Sequence, residues 1–294
     1  MHKALKSKIK GTFYGMAIGD SMGAVTEFMH KSEIKNRHRI LNELSGGGWL
    51  NLKPGEVTDP TEMMLCVCRA LENTPDYNSL YQFGSAFFDN CCHEFASWLD
   101  SGPVDADFCC KKVIESCRNQ SYKEWLSYAE NAKNFSHSEQ YGNGSLLHAI
   151  PLILSGSSLY TIVGLSRLTH NNPVCDKHIT DFCLFMYACM SEDKKKIPCC
   201  EILPSPTRHI QNTLENACYH LHHTSTFEDA VVHAVNEGGD TSMIGAVTGS
   251  LAGALYGYES IPVRWIKDLD PQIKTSLDHF TDLLCNMHGT DIPA

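Results

Sequence analysis

Glycines recur at every fourth residue in two stretches that lie near opposite ends of the chain. Gly11, Gly15, Gly19 and Gly23 fall in residues 11–28. Gly245, Gly249, Gly253 and Gly257 fall in residues 241–258, among Ala246, Ala252 and Ala254. A four-residue period puts these positions on nearly one face of an α-helix. Each glycine inside a helix costs about 1 kcal/mol relative to alanine, so a stripe of four calls for very close backbone packing against another element. The two stripes therefore predict two helices packed on each other, the first ending near Gly23 with Asp20 and Glu27 near that end. The second follows a sharp turn at Gly238 and Gly239, and Asp240 stands at its start, where a carboxylate either caps free amides or holds a cation. The rest of the chain is organised around this second helix.

Elsewhere the apolar positions again keep helical spacing. Residues 31–42 read as a short polar helix. Asp59-Pro60-Thr61-Glu62 opens a longer one, with Asp59 as N-cap, Pro60 in the first helical position and Glu62 completing a capping box. Further helices are predicted over residues 81–100, 106–119, 122–132, 157–170, 177–190, 214–223 and 227–236, with one or two more after residue 261. A turn at residues 141–145 runs into an apolar helix, and the aromatic residues from Tyr81 to Trp98 read as core. Residues 191–207, rich in lysine, cysteine and proline, read as a loop. No stretch alternates with period two and no linker divides the chain. The expectation is an all-α protein, a single compact multi-helix domain over residues 1–294.

Composition narrows the partners. A net charge of -10 excludes a non-specific nucleic-acid or anionic-membrane binder, both of which need a positive surface. The 14 cysteines fall as three adjacent pairs and scattered singles with no CxxC spacing, which reads as buried free thiols in a reducing compartment. The same pattern argues against zinc, and the histidines at 220, 222 and 223 have no cysteine or carboxylate at a matching spacing. The basic N-terminus lacks the apolar run of a signal peptide. The uncharged segment of residues 241–258 is too short and too rich in glycine, serine and threonine to span a bilayer, so a soluble cytoplasmic protein is expected.

Glu27, Asp59 and Asp240 stand at helix ends or turns, with Thr58 and Thr241 beside two of them. Carboxylate and hydroxyl oxygens on rigid termini suit magnesium or manganese, and such an ion orients a diol or a phosphate and activates a water. The turns at residues 142–145 and 238–241 present amides beside a helix start, which suits phosphate. Together these point to a nucleotide-like ligand. Helix capping and turn chemistry account for the same residues, and spacing alone leaves both readings open.

Six segments, GTFYGMAIGDSMGAVTEF, GGGWLNLKPGEVTDPTEM, WLDSGPVDA, YGNGSLLHAIPL, SRLTHNNP and AVNEGGDTSMIGAVTGSLAGALYG, follow in this order. Together they resemble the ADP-ribosylglycohydrolase family, and look most like its branch that frees an arginine of dinitrogenase reductase from ADP-ribose. The resemblance implies an all-α fold with two magnesium or manganese ions in a cleft that holds ADP-ribose. It implies metal positions at Glu27, Thr58, Asp59 and Asp240. It places Gly142, Asn143, Gly144 and Ser145 around the ribose and diphosphate, with Gly238, Gly239 and His170 also on the ligand side. Asp105 falls beside the scissile ribose, so Glu27, Asp59 and Asp105 are the candidate catalytic residues.

Two departures change the expectation. The family's Thr-Asp-Asp-Thr is Thr58-Asp59-Pro60-Thr61 here, and its Gly-Gly-Asp-Thr-Asp-Thr is Gly238-Gly239-Asp240-Thr241-Ser242-Met243. Three carboxylates would face four positive charges, so at most one magnesium or manganese ion is expected, or none. The implied function is hydrolytic removal of ADP-ribose from a modified side chain, arginine favoured. The alternatives are a silent member that binds ADP-ribose, an ADP-ribosylated protein or a regulatory partner, and an altered reaction with Asp105 and Asp59 as acid and base.

Overall fold

The computed structural model describes residues 2–74, 85–131, 135–136 and 141–289. In chain order the helices are α1 (His2–Thr26), α2 (Lys31–His38), α3 (Asp59–Glu72), α4 (Ser85–Asp100), α5 (Phe108–Cys117), α6 (Tyr122–Glu130) and α7 (Ile150–Leu154). There follow α8 (Leu159–Ser166), α9 (Pro173–Met190), α10 (Ile210–His223), α11 (Phe227–Val235), α12 (Thr241–Tyr256), α13 (Val263–Asp268) and α14 (Pro271–Gly289). Among the described residues there is no sheet, only isolated bridges such as His30 to Gly238 and Gly142 to His209. The all-α expectation holds. Residues 81–84, where the fourth expected helix was to begin with Tyr81 in the core, lie outside the described residues.

The two glycine stripes face each other. A Cβ placed on Gly15 would run into the Gly249 carbonyl, and one on Gly249 into the Gly15 carbonyl. Gly19 and Gly245, then Gly11 and Gly253, repeat the arrangement, while Gly23 faces the Thr241 carbonyl. Residue numbers rise in one partner as they fall in the other, so α1 and α12 run antiparallel with their backbones in contact. Residues 11–27 and 241–254 are buried throughout. A helix buried on every face is a core helix, and α9, α10, α11 and α14 pack around this pair.

The antiparallel pairing sets the end of α1 beside the start of α12. The turn between α11 and α12 is pinned there by backbone bonds: Phe28 donates to the Gly239 carbonyl (2.7 Å) and Gly239 to the Met29 carbonyl (3.1 Å). Gly238 and Gly239 take φ of +82° and +73°. A side chain on Gly239 would meet the Pro206 carbonyl, so this bend is closed to other residues. α1 also runs past Gly23 to Thr26, whose hydroxyl bonds the Val235 carbonyl at 2.6 Å.

The start of α3 corrects the capping expectation. Thr58, not Asp59, is the N-cap, without a side-chain cap bond, and Asp59 and Pro60 are the first two helical residues. Glu62 forms no capping box; it accepts the Trp98 indole N–H at 2.7 Å. The helix end is held from across the core by Asp20, which accepts the Thr58 amide (3.0 Å), the Thr58 hydroxyl (2.5 Å) and the Thr61 hydroxyl (2.5 Å). With that work done from α1, the Asp59 carboxylate is turned the other way.

Within α4 the aromatic expectation holds for Phe87, Phe95 and Trp98, which are buried. The cysteines are free thiols, and all but Cys199 and Cys200 are buried. Among the described residues no helix is long and apolar enough to cross a membrane.

Candidate functional site

Asp240 has backbone φ and ψ of -88° and 57° at the start of α12, yet its side chain makes no capping bond to that helix. The carboxylate instead accepts the Asn143 amide at 2.5 Å and lies 3.7 Å from the Arg208 guanidinium. It is 3% exposed. Burial, then the neighbouring charge of Glu27, pushes its pKa up to about 7 against the opposing pull of Asn143 and Arg208. Asn143 also donates to Thr213 on α10 (2.7 Å), which fixes the loop of residues 141–145 over this end of α12.

Glu27 follows α1 directly. Its two oxygens accept the Trp49 indole N–H and the Ser242 hydroxyl, both at 2.8 Å. Burial raises its pKa, while these two donors favour its charged form. Ser242 thus meets Glu27 as a neutral hydrogen-bond donor. Asp59 accepts the Asp107 amide at 3.0 Å. The residue keeps some open surface, but protein atoms crowd its carboxyl. Burial, then the charges of Asp105, Asp107 and Asp20, lifts its pKa well above the usual carboxylate range. Asp105 accepts the Ala106 amide at 2.8 Å. Its pKa is raised by burial and restrained by that bond and by Arg208.

The structure therefore brings Glu27, Asp59, Asp105 and Asp240 into one electrostatic neighbourhood, in which Glu27 feels Asp105, Asp59 feels Asp105, and Asp240 feels Glu27. Thr58 is turned away to Asp20. Gly142 pairs with His209, Gly144 packs on the Asp107 side chain, and Ser145 accepts the Ser166 hydroxyl at 2.9 Å. The amides of Gly239 and Asp240 are already bonded to the Met29 and Pro206 carbonyls. The His170 ring is buried, with Nδ1 bonded to the Thr169 hydroxyl at 2.9 Å and Nε2 3.7 Å from Asp107. In the histidine run, His222 and His223 bond the Ile197 and Tyr219 carbonyls separately, and they share no cluster.

Arg208 was not anticipated. Its guanidinium is stacked 4.9 Å from the Phe28 ring centre, which in turn lies 5.3 Å from Trp49, and it faces Asp240, Glu27, Asp107 and Asp105. A lone arginine in a proline-rich loop carries no pattern that would reveal this. Asp107 was not anticipated either; it caps α5 through the Cys110 amide (3.0 Å). Asp20 did carry a signal, since a carboxylate inside the largely apolar second half of a helix needs buried partners.

As placed, these oxygens do not fit a pre-formed magnesium or manganese centre. Glu27 is satisfied by neutral donors, Asp240 faces a guanidinium, and Thr58 points elsewhere. Among the described residues, the ligand atoms that lie within 4.8 Å of one another in a set of three or more belong to Asp107, Cys109 and His170 instead.

Asp240→Asn is expected to stabilise the fold increasingly as pH rises. A carboxyl raised from the ordinary 3.8 to about 7 favours the folded state at low pH, and that advantage is lost as pH climbs through this window. The shift corresponds to roughly 4 kcal/mol at most. Buried His148 and His220, lowered to about 3, act oppositely below their ordinary 6.5. The check is therefore the difference in urea midpoints between wild type and variant at pH 4.5 and 8; a difference independent of pH would refute it.

The chain matches the ADP-ribosylglycohydrolase family over residues 1–197 and 191–292. It is 30% identical over 301 residues to the ADP-ribosyl-[dinitrogen reductase] glycohydrolase of Rhodospirillum rubrum, with 96% of each chain covered. It is 26% identical over 296 residues to the ADP-ribosylarginine hydrolase Tri1 of Serratia proteamaculans, covering 92% of this chain and 77% of that one. In fold it superposes on a chain of a solved ADP-ribosylglycohydrolase-related protein complex with a TM-score of 0.75, at 22% identity and covering 97% and 99% of the two chains.

Proposed function

The chain belongs to the ADP-ribosylglycohydrolase family, and from that premise we propose that it removes ADP-ribose from a modified protein side chain, arginine favoured, by hydrolysing the glycosidic bond. The observation that carries this reading is the pairing of Asp59 and Asp105. They are neighbouring carboxyls in unlike surroundings, one enclosed and lifted well above its usual range, the other held nearer to it by the Ala106 amide and Arg208. Two carboxyls whose surroundings push them apart divide into a proton donor and a base.

In this scheme the loop of Gly142, Asn143, Gly144 and Ser145 lies against the diphosphate and ribose. Asp59 keeps its proton and donates it as a hydrogen bond to a ribose oxygen. The bond from the anomeric carbon to the guanidinium nitrogen breaks with its electron pair left on nitrogen, and the oxocarbenium-like sugar is stabilised by the Glu27 carboxylate. Asp105 takes a proton from the attacking water as the new carbon–oxygen bond forms, and that proton returns through solvent to the departing guanidine. Arg208 tempers the repulsion among four acids and offers a cation to the diphosphate. Every step uses side chains of this chain.

A second reading, binding of ADP-ribose or an ADP-ribosylated protein without turnover, is favoured by one observation: Glu27 and Asp240 already have their protein donors. Isothermal titration with ADP-ribose, with and without magnesium or manganese, followed by release of ADP-ribose from ADP-ribosyl-arginine, separates the two. Binding with release that survives a chelator is expected. Binding without release, in wild type and after Pro60→Asp, Ser242→Asp and Met243→Thr together, moves the assignment to a binding protein. Absence of binding defeats both.

A further inference from the structure

We propose that Asp107, Cys109 and His170 form a site for a transition-metal ion of the zinc type, with one coordination position left for water or a ligand oxygen. The three ligand atoms lie within 4.8 Å of one another. The elements that carry them are fixed: Asp107 caps α5, Cys109 is the second residue of that helix, and His170 sits between α8 and α9.

The imidazole supplies an independent observation. The His170 side chain is 1% exposed, and its Nε2 has no hydrogen-bond partner although it lies 3.7 Å from an Asp107 oxygen. Its Nδ1 is bonded to the Thr169 hydroxyl at 2.9 Å. With that hydroxyl donating to the Ser166 carbonyl, its oxygen is open to accept from an Nδ1–H. The ring then presents a lone pair at Nε2 toward a carboxylate. Two electron-rich atoms held face to face out of water are reconciled by a cation between them, and the Nδ1 bond to Thr169 is the outer contact that orients a ligating histidine.

The donor set selects the ion. One thiolate, one imidazole and one carboxylate suit zinc or cobalt and disfavour magnesium, which takes oxygen alone. Three protein ligands leave a fourth position open, as in zinc sites that also hold water or substrate. The place is significant: the Asp107 backbone amide bonds Asp59, and its side chain packs on Gly144. An ion here would neutralise the Asp107 charge beneath the loop of residues 142–145. Binding replaces the Cys109 S–H proton by a sulfur–metal bond and releases that proton to solvent, so affinity rises with pH.

The test uses the full-length protein, stripped with a chelator, kept reduced and titrated with cobalt(II). A thiolate-to-cobalt charge-transfer band saturating at one equivalent and displaced by zinc is expected, with proton release in unbuffered solution. Cys109→Ser is expected to abolish that band, and His170→Gln to weaken cobalt binding at least about tenfold. Asp107→Asn keeps the helix cap, because asparagine caps as well as aspartate, and is expected to weaken binding while melting as wild type does. The proposal is overturned by absence of the band, by its survival in Cys109→Ser, or by its loss in Cys199→Ser/Cys200→Ser. Calorimetry with ADP-ribose reads the catalytic proposal separately, so either can fail alone.

Discussion

Asp105→Asn is expected to lower the release of ADP-ribose from ADP-ribosyl-arginine by a factor of about 10² to 10⁴, the range that a positioned general base contributes, while ADP-ribose affinity stays close to that of wild type. Asp105 is the sharpest place to test the chemistry because its substitution disturbs least. The hydrogen bond it accepts from the Ala106 amide is kept by an asparagine oxygen. Asp59, by contrast, receives the Asp107 amide, and changing it would disturb the loop that leads into α5. The pH profile gives a second readout. A base works only when ionised, and burial raises the Asp105 pKa. Wild-type kcat/KM should therefore rise with pH through a limb displaced upward from the ordinary carboxylate range, and the residual activity of Asp105→Asn should lack that limb. Equal losses of affinity and turnover would make Asp105 a binding residue, and an unchanged rate would remove it from the mechanism.

The same residues show which kinds of information sequence spacing carries. The contact between α1 and α12 was legible because packing of this sort leaves a periodic trace: one glycine per four residues in both partners, with no local reason to be there. The position of Asp240 was legible because a glycine pair marks the bend before it. Asp59 was misread as a cap because Thr58-Asp59-Pro60 offers two capping residues in a row, and local pattern cannot choose between them. The choice is made 38 residues away by Asp20, whose carboxylate holds Thr58 and Thr61.

The resemblance points to Pro60 and Ser242 as departures from the family's pattern, and the structure shows what surrounds Ser242 and Asp240. Ser242 donates to Glu27, and Arg208 brings a permanent cation toward Asp240. Neither relation is periodic or local; the first arises where the start of α12 meets the end of α1, the second from the loop before α10. The acids at this end of α1 and α12 are several buried like charges, and neutral donors with one guanidinium reduce their repulsion. The cluster of Asp107, Cys109 and His170 escaped notice for a related reason. A spacing of 61 residues between Cys109 and His170 resembles no ligand motif, and only the docking of α5 beside the end of α8 makes it one.

Gly249→Ala is expected to destabilise the protein by roughly 3 kcal/mol or more, the upper end of what overpacking produces. The sign of the effect is the decisive point. Inside a helix, alanine is better than glycine by about 1 kcal/mol, so if α12 were held only by its own hydrogen bonds the change would stabilise. The added Cβ, however, would fall on the Gly15 carbonyl, which is backbone and cannot swing aside. Nor can the helices separate locally, because Gly19 with Gly245 and Gly11 with Gly253 clamp the pair on either side at the same closeness. Against a total stability of about 5–15 kcal/mol the loss is large, and at about 2–4 °C per kcal/mol it should lower Tm by roughly 10 °C. Gly164→Ala in α8 is the matched control, since its Cβ meets only the Phe88 ring, a side chain that can turn; it should be neutral or stabilising. A neutral or stabilising Gly249→Ala would show that the stripe does not hold the pair together. If the destabilisation is seen, ADP-ribose affinity should fall with it, because Glu27 follows one helix and Asp240 precedes the other, and any wedge between them opens the place where the acids meet.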